Sequence, residues 1–221
     1  MRSAQQVARR AVVMTTLAFR ASLEVTDHRR SEELSDRLLN WLEDEGIAGE
    51  LDPIEREILQ APYRKLHKTQ LTDATLAGEG ACFFAWTIGL GDPLPNCESA
   101  DPRPLVGTFG ILRTTAAQIV DRACLKSDDE LKSYCLELLQ TLSTMRQRRL
   151  SDTAAQSIFR RIEDERMTKL GLSPTEDSYG RSVRFLNDAS TEQLRLMAVP
   201  YFVRSLCVSW LLDNRSSFFA S

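Results

Sequence analysis

In the stretch ATLAGEGACFFAWTIGLGDPLP, residues 74–95, the carboxylate Glu79 stands between Gly78 and Gly80 inside an apolar run of helical character. A lone carboxylate in a buried helix is costly unless it is paired or hydrogen-bonded. Each glycine costs roughly 1 kcal/mol relative to alanine in a helix. The pattern has two chemical readings. Glu79 is a structural ion-pair partner for an arginine of another helix, Arg20 or Arg204, or it is an acid lining a ligand pocket. In the first reading the glycines let a neighbouring helix or side chain cross closely. Loss of the carboxylate would then leave a buried charge behind and cost roughly 3–5 kcal/mol.

Other groups capable of chemistry are sparse. The two histidines, His28 and His67, fall in separate polar segments, and no metal-ligand spacing surrounds them. Five cysteines, Cys82, Cys97, Cys124, Cys135 and Cys207, show no C-x-x-C pair, and four of them fall in apolar, helix-like surroundings. That usage suits small buried hydrophobes in a reducing compartment better than a disulfide framework. GEG resembles a phosphate loop only superficially, because no strand precedes it. Pairing of His67 with Cys82 is the one conceivable nucleophile–base arrangement. No catalytic residue, metal site or cofactor is assigned, and the chain is read as a non-enzyme.

The elements that must position these residues are helical throughout. Of 221 residues, 43% are hydrophobic and 27% charged, the balance of a globular protein, and the net charge of -3 gives no basic field for nucleic acid. Val7, Ala11, Met14, Ala18 and Ala21 recur at helical spacing. Arg9 and Arg10 before this apolar run faintly resemble a twin-arginine signal, yet the run is short and Arg20 follows it, so a structural helix is expected. Leu34, Leu38, Trp41 and Leu42 share a face of a second helix, with Ser31 as its cap and Gly46 as its stop. Asp52, Pro53 and Glu55 open a third. A long helix spans about 69–90.

Residues 91–113 then form a long internal loop, holding at most one short helix, before helices near 114–125 and 128–149. Ser127 and Glu130 form a capping box for the latter, which turns Leu131, Cys135, Leu138, Leu142 and Met145 inward. A further helix is expected at about 152–170, and an irregular connector at 171–190. A second capping box at 190–193 opens the last helical region, which Pro200 must kink or break. Two mid-span arginines, Arg195 and Arg204, argue against a membrane span there. Trp41, Trp86 and Trp210 each fall on an apolar face and are expected to be largely buried. No alternating β pattern appears. The expected fold is all-α, a single non-repeating bundle of roughly seven to nine helices over residues 1–221.

Charge is unevenly distributed. Glu43, Asp44, Glu45, Glu50, Asp52, Glu55 and Glu57 crowd one segment that has few bases, whereas Arg146 to Lys169 is basic. The acidic segment is the candidate partner-binding surface, suited to a basic protein partner.

The same residues carry a family resemblance. Thr75, Glu79, Trp86, Gly89 and Leu90 are similar to the signature helix T-W-R-x-E-A-L-x-x-L-x-W-A-L-G-L of the bacterial domain of unknown function 4272. Arg204 and Trp210, in VRSLCVSWLLD, resemble that family's closing motif. The N-terminal ARRAVVMTTLAFRASLE and LDPIEREILQAP are similar too, and the match is loose between about 140 and 200. Leu76 and Ala77 stand where the family has Trp and Arg. The resemblance implies a helical, cytoplasmic bacterial protein and no established activity. The expected function is protein binding without catalysis, specifically an immunity protein that occludes a bacterial toxin. The alternatives are an enzyme or small-ligand binder with a pocket around Glu79, and a structural homodimer.

Overall fold

The computed structural model describes residues 1–26, 29–94, 99–113, 116–147 and 191–212. The expected helix at 152–170, the connector at 171–190, His28, Cys97, Ser190 and the side chains of the basic run 146–169 lie outside the described residues. Every regular element among the described residues is helical, so the fold is all-α. The described residues form eight α-helices: α1 Ala4–Val25, α2 Ser31–Asp44, α3 Pro53–Gln60, α4 Lys68–Thr87, α5 Arg103–Thr108, α6 Ala116–Arg122, α7 Asp128–Gln147 and α8 Thr191–Leu211. A 3₁₀ turn, Ala48–Glu50, precedes α3. The helices fall into two compact units, α1 to α6 in one and α7 with α8 in the other.

In the first unit α1 is the axis, and α2 to α6 all touch it. Ser3 and Gln6 cap it reciprocally. From Val7 to Leu17 all but Arg9 are buried, more than an amphipathic stripe requires. The two arginines on α1 have therefore left water, Arg10 at 2% and Arg20 at 0% exposure. Each has found a carboxylate. Glu55, fully buried, takes both terminal nitrogens of Arg10, with Nη1 donating to Oε2 at 2.8 Å. Arg20 pairs with Glu24 one turn on, and donates to the carbonyls of Ala61 (3.0 Å) and Pro62 (3.2 Å). Glu24 also accepts the amide of Arg64 at 2.8 Å. Arg10 thus grips the start of α3, and Arg20 grips the chain just past its end.

Several local expectations hold. Asp52 and Glu55 form a capping box behind Pro53, and Gly46 ends α2 in the left-handed region at φ 68°. Residues 91–113 include the short α5. Ser31 is not the cap of α2. It is the first helical residue, buried, and its hydroxyl donates to the carbonyl of Thr26. Trp41 and Trp210 are buried, but Trp86 is only half-buried beside Phe83. Cys82, Cys135 and Cys207 are buried and Cys124 is exposed; all four are free thiols.

In the second unit α7 and α8 lie against each other. Ser127 and Glu130 cap α7 as expected, and Leu131, Cys135, Leu138 and Leu142 are buried. Pro200 does not end α8, which continues through it to Leu211. Proline removes one amide donor from the helix ladder, and here the helix survives that loss.

The Arg10–Glu55 pair yields a sharp expectation. Arg10→Met or Glu55→Leu alone strands a buried charge and costs about 3–5 kcal/mol. The double variant restores most of that loss, because an apolar pair of similar volume fills the space without desolvated charge. Denaturant melts of the three variants beside the parent measure the difference. Equal losses in single and double variants would contradict it.

Candidate functional site

The acidic segment and Glu79 are distinct places in the first unit. On α4, Ala77 to Ala85 are buried without interruption, so this part of the helix is enclosed on all faces. Gly78 lies where other atoms come close. A Cβ there would sit 2.9 Å from Pro102 Cγ and 3.5 Å from Ala18 Cβ on α1. The next residue, Glu79, is 6% exposed, and its Oε2 accepts the backbone amide of Ala100 at 2.9 Å. Gly78 and Glu79 therefore seat the same segment: the glycine admits Pro102, and the carboxylate receives the Ala100 amide. Asp101 between them points its carboxylate at Arg103, whose guanidinium lowers the Asp101 carboxyl from its usual range. Nearer the start of α4, burial raises the carboxyl of Asp73.

Arg204 belongs to α8 in the second unit. It is buried at 1% exposure, with its guanidinium over the ring of Tyr201 at 5.3 Å. Arg20, the other arginine considered for Glu79, is engaged by Glu24 and two carbonyls.

The seven acids of the candidate surface separate into different environments. Glu55 is not on the surface at all; the α3 cap turns it inward onto Arg10, which removes it from any partner-facing set. The signal for this was present in the sequence. Glu55 occupies the third position of a capped helix, and Arg10 interrupts an apolar stripe that demands a counter-charge. Asp52 is half-buried in the same capping box. Glu45 is half-buried and accepts the amide of Ala117 at 2.8 Å, a carboxylate placed at the first turn of α6 where the helix dipole favours it. Glu50 is half-buried, 3.7 Å from Arg9. Glu43, Asp44 and Glu57 are exposed, with Arg56 reaching Glu43 at 3.4 Å.

Among the described residues no group of three His, Cys, Asp or Glu side chains could hold a metal ion, and no helix is long and apolar enough to cross a membrane. A half-open cavity of about 230 Å³ lies between the end of α4 and α6, lined by Ile88, Leu90, Gln118, Ile119, Arg122 and Ala123. None of the residues singled out from the sequence for function lines it.

Residues 1–161 match the model of a family described as a domain of unknown function, DUF4272. The chain belongs to that family. No curated protein and no solved structure matches it.

Glu79 can be tested directly. Glu79→Ala removes the buried acceptor of the half-buried Ala100 amide and should cost about 1–3 kcal/mol, while Glu79→Gln, which keeps a carbonyl oxygen, should cost less. A loss of about 3–5 kcal/mol in both variants is instead the mark of a buried charge pair. Denaturant melts separate the two. Unchanged midpoints in both variants would remove Glu79 from the structural framework.

Proposed function

We propose that this protein is a binding module without catalysis, and within that class an immunity protein that occludes a basic toxin domain in the bacterial cytoplasm. The observation that carries the reading is the division of its acids. Glu55, Glu45, Asp52 and Glu79 are committed to internal contacts, while Glu43, Asp44 and Glu57 are presented to solvent near the end of α2 and on α3. An occluding inhibitor works through shape and charge, and exposed like charges accelerate its encounter with a partner of opposite sign. A toxin that handles nucleic acid or nucleotide phosphates has such a basic surface. Capture needs no reacting group on the inhibitor.

The experiment is co-purification with the toxin domain encoded beside this gene, followed by stopped-flow association. A stoichiometric complex and protection of cells expressing the toxin are expected. Replacing Glu43, Asp44 and Glu57 together by Lys should slow association by roughly tenfold or more at low salt, with the difference closing as salt is raised. The melting midpoint should hardly move, since exposed charges contribute little to stability. Protection that survives this triple reversal with unchanged association would place the contact elsewhere. A metabolic gene neighbourhood and no complex would overturn the reading.

A further inference from the structure

The cavity between α4 and α6 has a composition that points to a ligand. At the end of α4 the chain closes on itself. Ile88 donates to the carbonyl of Phe84, Gly89 to Trp86, and Leu90 and Gly91 both to Ala85, a turn that Gly89 permits at φ 73°. The carbonyls of Phe84, Ala85 and Trp86 are therefore spent inside the turn. Ile88 and Leu90 emerge from this turn as one wall, Leu90 with 38% of its surface exposed.

The opposite wall is α6. Ile119 and Ala123 are four residues apart, as are Gln118 and Arg122, so an apolar stripe runs beside a polar one on the same side of the helix. Among the described residues, neither the Arg122 guanidinium nor the Gln118 side-chain amide makes a hydrogen bond or ion pair. An apolar floor thus carries two unspent donor groups at its rim. One of them has the planar fork that fits a carboxylate through two parallel hydrogen bonds.

We propose that this cavity binds a small organic monocarboxylate with an apolar body. The body rests on Ile88, Leu90, Ile119 and Ala123, and the carboxylate meets Arg122 with the Gln118 amide beside it. The volume of about 230 Å³ is below that of sites for drug-sized ligands, which suits a body of a single ring or a short branched chain. This inference is independent of the immunity reading, since none of Glu43, Asp44 and Glu57 borders the cavity.

The test is a titration of the full chain with benzoate, followed by backbone amide NMR, with benzyl alcohol as the uncharged probe of like shape. Benzoate should produce saturable shifts centred on residues 88–91 and 118–123. Benzyl alcohol should bind about tenfold or more weakly, and Arg122→Gln should weaken benzoate by a similar factor. Arg122 is exposed, so that variant is expected to fold, and an unchanged melting midpoint checks it. Absence of saturable shifts up to about 20 mM, where even fragment-sized ligands register, overturns the proposal. So does equal binding of the alcohol, insensitivity to Arg122→Gln, or shifts confined to another region.

Discussion

The first unit depends on the discharge of two charges inside one helix. α1 is enclosed over most of its length, yet it carries Arg10 and Arg20, and neither can remain in an apolar interior without an acceptor. Ten residues of α-helix separate them, about 15 Å along the axis. The eight residues of α3 span about 12 Å. Arg10 meets Glu55 at the start of α3, and Arg20 meets the carbonyls of Ala61 and Pro62 just after its end. The two arginines therefore act as brackets, and α3 can satisfy both only by running alongside α1 in the same direction. A register shift of one turn on either helix would strand a guanidinium. Burial of charge adds little net stability compared with an apolar pair, but it makes wrong packings expensive.

The same logic places α4 and α5. Close approach of α1 and α4 is set by small side chains, Ala18 on one and Gly78 on the other, and Pro102 occupies the remaining space above Gly78. Glu79 then takes the Ala100 amide, so the segment leading into α5 is held by a steric slot and a hydrogen bond two residues apart. On the far side, Trp41 Nε1 donates to the carbonyl of Arg113, and Glu45 receives the amide of Ala117. The end of α2 thereby fixes both the chain after α5 and the first turn of α6.

Much of this was legible from residue types, and the limits of that legibility have physical causes. Helical period and caps located α1 to α4, α6 and α7, because local hydrogen bonding and amphipathicity are properties of a short window; α5 fell inside the loop expected at 91–113. Gly78 as a point of close approach was readable because glycine is costly in a helix without such a reason. The fate of Glu55 was missed because a capping acid and a solvent-facing acid have the same local sequence; the difference is made by Arg10, 45 positions away. Trp86 is less buried than its helix face suggested, since α4 is near its end there and the next residues turn away. Ser31 lost its expected capping role by one position: helix formation begins at the serine, and its hydroxyl turns to Thr26 instead.

The division among the acids also changes what a partner would meet. A segment with seven carboxylates reads as a broad negative field, yet Glu55 is shielded inside, Glu45 and Asp52 are held at helix starts, and Glu50 lies near Arg9. The three that remain exposed are Glu43, Asp44 and Glu57, and Arg56 lies within reach of the first. An exposed pair of this kind is weak and exchanges readily. An incoming guanidinium can displace Arg56 from Glu43 at small cost, so the internal base tunes the surface without closing it. Three exposed carboxylates steer encounter over roughly one Debye length, about 8 Å at physiological salt, and no further. Tight retention of any partner would then have to come from apolar and shape contacts next to the charged patch, where Ile54 on α3 is 37% exposed. On the proposed reading, charge on this surface would set how fast a basic partner arrives, and the neighbouring apolar surface would set how long it stays.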